Sequence, residues 1–182
     1  MSALKKWVMP AVFGAFVVAA VLLSALGNVQ TTDGGMLFTY QAALFGPAIV
    51  TGVIQGQTTT ISVDPPIGPS VFVLVGWILM VLGLVCGLVT AFVGEKMFKN
   101  AKVAKIVVLC SACLVLVGGI FQFFEIRSFA GAIAKSLGRE NVDDIYEMLK
   151  ADGTKAPAFV VSGILSIFGS LALAAKEFLP EK

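Results

Sequence analysis

Few residues of this chain could do chemistry. Cys110 and Cys113 form a C-x-x-C, a spacing used for thiol redox work and for binding soft metals. Glu125 lies at the outer end of the third apolar run with Arg127 close by, and Gln122, one turn earlier, is the only strongly polar side chain within that run. Histidine is absent, which excludes Ser-His-Asp triads, HExxH zinc sites and His-ligated haem. The sequence holds no Walker A motif, no dinucleotide fingerprint and no G-x-S-x-G. The C-x-x-C lies within an apolar stretch, a setting that disfavours the thiolate such chemistry needs. The third cysteine, Cys86, lies in another apolar stretch, so all three read as small packing residues and a membrane thiol redox enzyme is the least favoured reading. Glu125 and Arg127 are two residues apart and do not share a helix face. Glu125 is therefore expected as a solvated carboxylate, and Gln122 as a side chain that can hydrogen-bond across helices. No catalytic residue, no cofactor and no metal site is expected.

The elements that must position these residues are apolar. Of 182 residues, 58% are hydrophobic and 13% charged, with mean hydropathy +0.95. A soluble domain carries about 45–50% apolar and about 25% charged residues, so a soluble enzyme and a disordered tail are both excluded. With 13 Lys and Arg against 11 Asp and Glu, a strongly basic nucleic-acid binder is excluded as well. Four uncharged runs hold the excess: Trp7–Leu26, Val71–Val93, Ile106–Phe124 and Ala158–Ala175. Each approaches the roughly 20 residues a helix needs to cross about 30 Å of hydrocarbon. The reading is an all-α integral membrane protein, a single four-transmembrane-helix bundle. Its spans cover about 7–26, 71–93, 105–126 and 158–175, and its outer loops 27–70 and 127–157. Helix formers after Arg127 carry the third helix on unbroken toward Leu137.

Basic residues give a direction. Lys5 and Lys6 precede the first run, while Lys96, Lys99, Lys102 and Lys105 crowd the connection between the second and third. Lys176 and Lys182 follow the fourth, and no Lys or Arg falls between Trp7 and Glu95. Both termini are thus expected in the cytoplasm, with the two long loops outside, in the plasma membrane. The first run is longer than the 7–15-residue core of a signal peptide, so it reads as a retained helix.

The first outer loop is β-prone. Ala48–Ile54 and Thr58–Val63, separated by Gln55-Gly56-Gln57, read as a hairpin that Asp64-Pro65-Pro66 stops. Met36–Ala42 reads as a third strand after the Asp33-Gly34-Gly35 turn. This predicts a small extracellular sheet. Phe38, Tyr40, Gln41 and Phe45 are a candidate recognition surface on it; as an alternative, their rings pack the sheet onto the helices or sit at headgroup level. In the second outer loop Asn141 reads as an N-cap of a short amphipathic helix over Val142–Ala151, with Gly138 and Gly153 as helix terminators and Pro157 opening the last span.

Small residues recur at helical spacing. Gly83 and Gly87 form a GxxxG, and Ser162, Ser166 and Ser170 fall at i, i+4 and i+8. Such faces let helices approach closely, either within one bundle or between copies. The order of elements resembles the claudin-type tetraspan arrangement. That family's first-loop signature, a Trp with Gly-Leu-Trp followed by two cysteines, is missing here, so the resemblance carries no residue role. The expected function is that of a non-enzymatic structural or accessory membrane protein. It would act through the outer loop and the small-residue helix faces, on membrane lipid, in a homo-oligomer or in a larger membrane complex, and not on nucleic acid. An oligomeric transporter, channel or lipid-handling subunit is the alternative.

Overall fold

A computed structural model describes residues 7–33, 36–41, 49–54, 57–61, 66–68, 70–98, 100–138 and 140–178. The chain order is α1 (Met9–Ala25), β1 (Asn28–Asp33), β2 (Met36–Gln41), β3 (Ile49–Ile54), β4 (Gln57–Ile61), α2 (Val71–Met97), α3 (Ala101–Gln122), α4 (Glu125–Ser136), α5 (Val142–Ala151) and α6 (Pro157–Phe178). Three helices are long and apolar enough to cross a membrane: Val71–Gly94 of α2, all of α3 and all of α6. The first apolar run gives a shorter helix of 17 residues, because Trp7 and Val8 form a π-helical turn ahead of it and Leu26 caps it.

The four long helices pack in a ring, α1 against α2 and α6, and α3 against α2 and α6. On α1 and α2 the buried positions alternate three and four residues apart. On α1 the stripe is Pro10, Phe13, Val17, Ala20 and Ser24. On α2 it is Val73, Gly76, Met80, Gly83, Gly87, Thr90 and Gly94. That spacing is the seam of a left-handed bundle. The remaining apolar residues, such as Leu22, Leu82, Val85 and Phe168, stand on the outward surface. Only a minority of each span-length helix is buried, and the exposed positions are largely apolar, the reverse of a soluble bundle's polar outside.

Glycines set the closest approaches. A Cβ on Gly118 would lie 2.5 Å from the Gly76 carbonyl oxygen, and one on Gly119 2.5 Å from Ser166 Cβ. Gly83 meets Val115 and the Ser111 carbonyl, while Gly87 meets Phe13 and Leu173. Both halves of the GxxxG are therefore occupied inside this one bundle. The serines are too: Ser162 donates to the Ala20 carbonyl at 2.7 Å, Ser166 to the Ser162 carbonyl at 2.8 Å and Ser170 to the Ile167 carbonyl at 2.8 Å. The cysteines differ from expectation. Cys86, Cys110 and Cys113 are free thiols exposed on the outward surface, not packing residues.

At one end of the ring sits a cap of sheet and short helices. The sheet is an antiparallel meander in the order β1-β2-β3-β4. The hairpin and third strand anticipated from the sequence are present, although the turn residues 34–35 and 55–56 and the stop at 62–65 lie outside the described residues. The additional strand, β1, is polar; Gln30 exchanges two backbone hydrogen bonds of 2.8 Å with Lys155, which clips the sheet to the start of α6. The helix after α3 also differs from the unbroken one expected. Phe123 and Phe124 close tight i to i+3 turns onto Ile120 and Phe121, and a separate helix, α4, starts at Glu125. Asn141 caps α5 through a bond from the Asp143 amide (3.1 Å), and Gly138 and Gly153 take φ of 63° and 67°. Ile145 and Leu149 of α5 are buried with Phe129 and Ala130 of α4 and with Val29 and Phe159.

Adding one methyl group separates the tight glycines from the loose ones. Gly119→Ala should destabilise the bundle by about 1–3 kcal/mol through overpacking. At Gly131 of α4 nothing lies within 4 Å of a Cβ, so Gly131→Ala should stabilise by about 1 kcal/mol through helix propensity. Unfolding in mixed detergent micelles measures both.

Candidate functional site

The polar side chains singled out at the end of the third span do not form one site. The structure sends each in a different direction. Gln122 is fully buried at the end of α3; its Oε1 accepts from Ser24 Oγ of α1 at 2.7 Å. Its Nε2 donates to the Gly118 carbonyl (3.4 Å) and the Val73 carbonyl (3.5 Å). Room for that amide comes from Gly76, where a Cβ would stand 2.7 Å from Nε2. Arg127 points away, to a 2.8 Å salt bridge with Asp143 of α5, and its guanidinium lies over the Tyr146 ring. Both partners of that salt bridge are largely exposed, so it adds little stability.

Glu125 is not the solvated carboxylate expected. It is 1% exposed, because the break at Phe123 and Phe124 turns the first residue of α4 inward beneath the start of α2. Its Oε2 accepts from Ser70 Oγ at 2.8 Å. Ser70 also contacts Ser128 Oγ, which accepts from the Phe72 amide at 3.2 Å. One hydroxyl carries one proton, so with Ser70 donating to Glu125 the Ser128 hydroxyl must donate to Ser70. The result is a directed chain from the Phe72 N–H through two serines to the carboxyl. Among the described residues Glu125 Oε1 is buried without a hydrogen-bond partner. Burial pushes the carboxyl up from 4.5 to about 7, against the opposing effect of the Ser70 hydrogen bond.

This polar layer separates two apolar clusters. One lies in the ring of long helices around Phe13, Val17, Val115 and Leu173; the other joins sheet, α4, α5 and the start of α6 around Val29, Phe129, Ile145 and Phe159. The partners Ser24, Ser70 and Ser128 escaped the sequence reading. Ser24 alone left a trace, as the last member of the buried stripe of α1.

On the sheet, Tyr40 packs its ring against Phe129 of α4, with centroids 4.9 Å apart and planes inclined by 59°. Phe38 lies two residues along the same strand, half-buried above Gly52. Both rings thus belong to the face turned to the helices, with Val29, Thr31 and Val50. Gln41 ends β2 opposite Asn28 and Ile49. Phe45 lies outside the described residues. The opposite face exposes Leu37, Ile49 and Val53 together with Thr58 and Thr60.

Among the described residues no three His, Cys, Asp or Glu side chains converge on a point. What the arrangement can do chemically is hold a proton out of water on Glu125 and tie α4 to α2. The class it defines is that of a membrane-type helical bundle, hydrophobic on its outside, with a small sheet docked on one end. No protein-family model matches the chain, and no curated protein matches it.

The proton on Glu125 has a stability signature. The folded state binds it between pH 4.5 and about 7, where the unfolded chain has already released it. Stability should therefore fall as pH rises through that window, by about 3 kcal/mol in all. Thermal unfolding in detergent at pH 4.5 and pH 8 should show the wild type less stable at the higher pH. Glu125→Gln should flatten that difference.

Proposed function

We propose that the chain is a non-enzymatic structural or accessory protein with four membrane spans, acting by contact through its cap. In this reading α1 is the fourth crossing, both termini and the lysine-rich stretch that joins α2 to α3 face the cytoplasm, and the sheet lies outside the plasma membrane. The single observation that carries it is where the small residues go. Gly83, Gly87, Ser162, Ser166 and Ser170 are all used inside the ring, which leaves the helices as an anchor. The surface left for a specific partner is the uncharged outward face of the sheet, with Leu37, Ile49 and Val53 exposed. Apolar groups displayed among threonines suit shape-based contact with a second copy or with the extramembrane part of a larger complex.

The channel alternative draws on Gln122 and Glu125, but both are spent on bonds between helices of one bundle. The lipid-handling alternative has a specific observation in its favour, a cavity beside α4. The redox alternative is left with three thiols on the outward surface and no bond between them.

A photo-crosslinking residue at Ile49 or Val53 tests the contact in native membranes. A discrete protein adduct is expected there, and none at Val85 on the outward surface of α2. An adduct of twice the chain's mass identifies a second copy, and a different mass a heterologous partner. Failure of every position on the sheet to form a protein adduct would contradict the proposal.

A further inference from the structure

Beside α4 lies a cavity of about 690 Å³. Two parallel stripes of α4 line it, each at i, i+4 and i+8: Arg127, Gly131, Lys135 and Ser128, Ala132, Ser136. The first stripe has a cation at each end and no side chain in the middle, where a Cβ would meet nothing within 4 Å. A groove is thus open along the helix between Lys135 and the guanidinium of Arg127. Arg127 is already bonded to Asp143, while Lys135 is exposed in the last turn of α4.

The facing wall is apolar. It includes Val71 and Phe72, the first residues of a span-length helix. Both side chains are also exposed on the outward surface of the bundle, at 67% and 49%. Phe72 continues into the rings of Phe121 and Phe124, whose centroids lie 5.8 and 6.4 Å away. The cavity therefore joins Lys135 and the Asp143-paired Arg127 to an aromatic surface at the first residues of a span-length helix. A free anion would use only the first part and a neutral hydrocarbon only the second.

We infer that this groove is a binding site for an anionic phospholipid of the surrounding bilayer. Its phosphate group sits between Arg127 and Lys135, and an acyl chain descends along Val71 and Phe72. The inference rests on the membrane-spanning reading above and deepens its lipid contact into one selective site.

The test uses the full chain reconstituted in neutral phosphatidylcholine containing a minor fraction of phosphatidylglycerol, with native mass spectrometry of the retained lipid. Flotation with the vesicles checks the membrane reading separately, so loss of selectivity in protein that still floats counts against the site alone. The wild type should retain phosphatidylglycerol above its bulk share. Lys135→Gln should lower that preference about fivefold, the effect of one cation near a membrane surface. Gly131→Leu, which puts a side chain where the groove is open, should remove the retained lipid. Lys150→Gln, an exposed lysine of α5 outside the cavity, should change nothing. The site is overturned if the wild type shows no preference or if Lys150→Gln acts as strongly as Lys135→Gln. It is overturned equally if Gly131→Leu keeps its lipid, or if millimolar inorganic phosphate displaces the lipid and so marks a free-anion site.

Discussion

The structure depends on the backbone of α3 touching two neighbours at once. Gly118 faces the Gly76 carbonyl of α2, and Gly119, the next residue, faces Ser166 and the Gly163 carbonyl of α6. In a bilayer, lipid tails are as apolar as leucine, so helices are not driven together by hydrophobicity but by close packing and hydrogen bonds. Two adjacent glycines on one helix allow both approaches at the same level of the ring. Gln122 follows one turn later, and it reaches Ser24 of α1 only because Gly76 leaves its amide room. Packing of three helices thereby fixes the hydrogen bond to the fourth.

The same geometry sets the junction with the cap. The turn at Phe123 and Phe124 ends α3 and rolls Glu125 under the start of α2, where Ser70, itself bonded to Ser128, donates to it. A carboxyl buried this way favours its neutral form, and its polar chain marks the boundary between the ring and the cap's own apolar core. Phe159 near the start of α6 belongs to that second core and also fills the space beside Gly27, where α1 gives way to β1. The cap is therefore held at three points: at Glu125, at Gly27 and at the Gln30–Lys155 bridge.

The apolar runs, the β3–β4 hairpin, the third strand and the capped helix α5 were legible because each carries a local signal: hydropathy, β-branching, a turn or an N-cap. β1 was not, since Asn-Val-Gln-Thr-Thr-Asp has little strand character and gains it by pairing with β2 and Lys155. The helix break was hidden because the residues after Phe124 are good helix formers. Burial of Glu125 was equally hidden, since its partner Ser70 lies 55 positions away in sequence. The GxxxG of α2 could be seen but its partners could not: Gly118 and Gly119 are adjacent and match no spacing motif. For Tyr40 and Phe38 the sequence left both a recognition surface and packing onto the helices open, because it does not say which strand face meets the helices.

The central claim, that four crossings place the cap and the α2–α3 connection on opposite sides of a membrane, is tested most directly by single-cysteine labelling. With Cys86, Cys110 and Cys113 replaced by serine, one cysteine is placed at Thr60 of β4 or at Lys102 of α3. Intact cells are then treated with a membrane-impermeant maleimide. The account predicts labelling at position 60 from outside and at position 102 only after permeabilisation. Equal labelling of both positions in intact cells would contradict it.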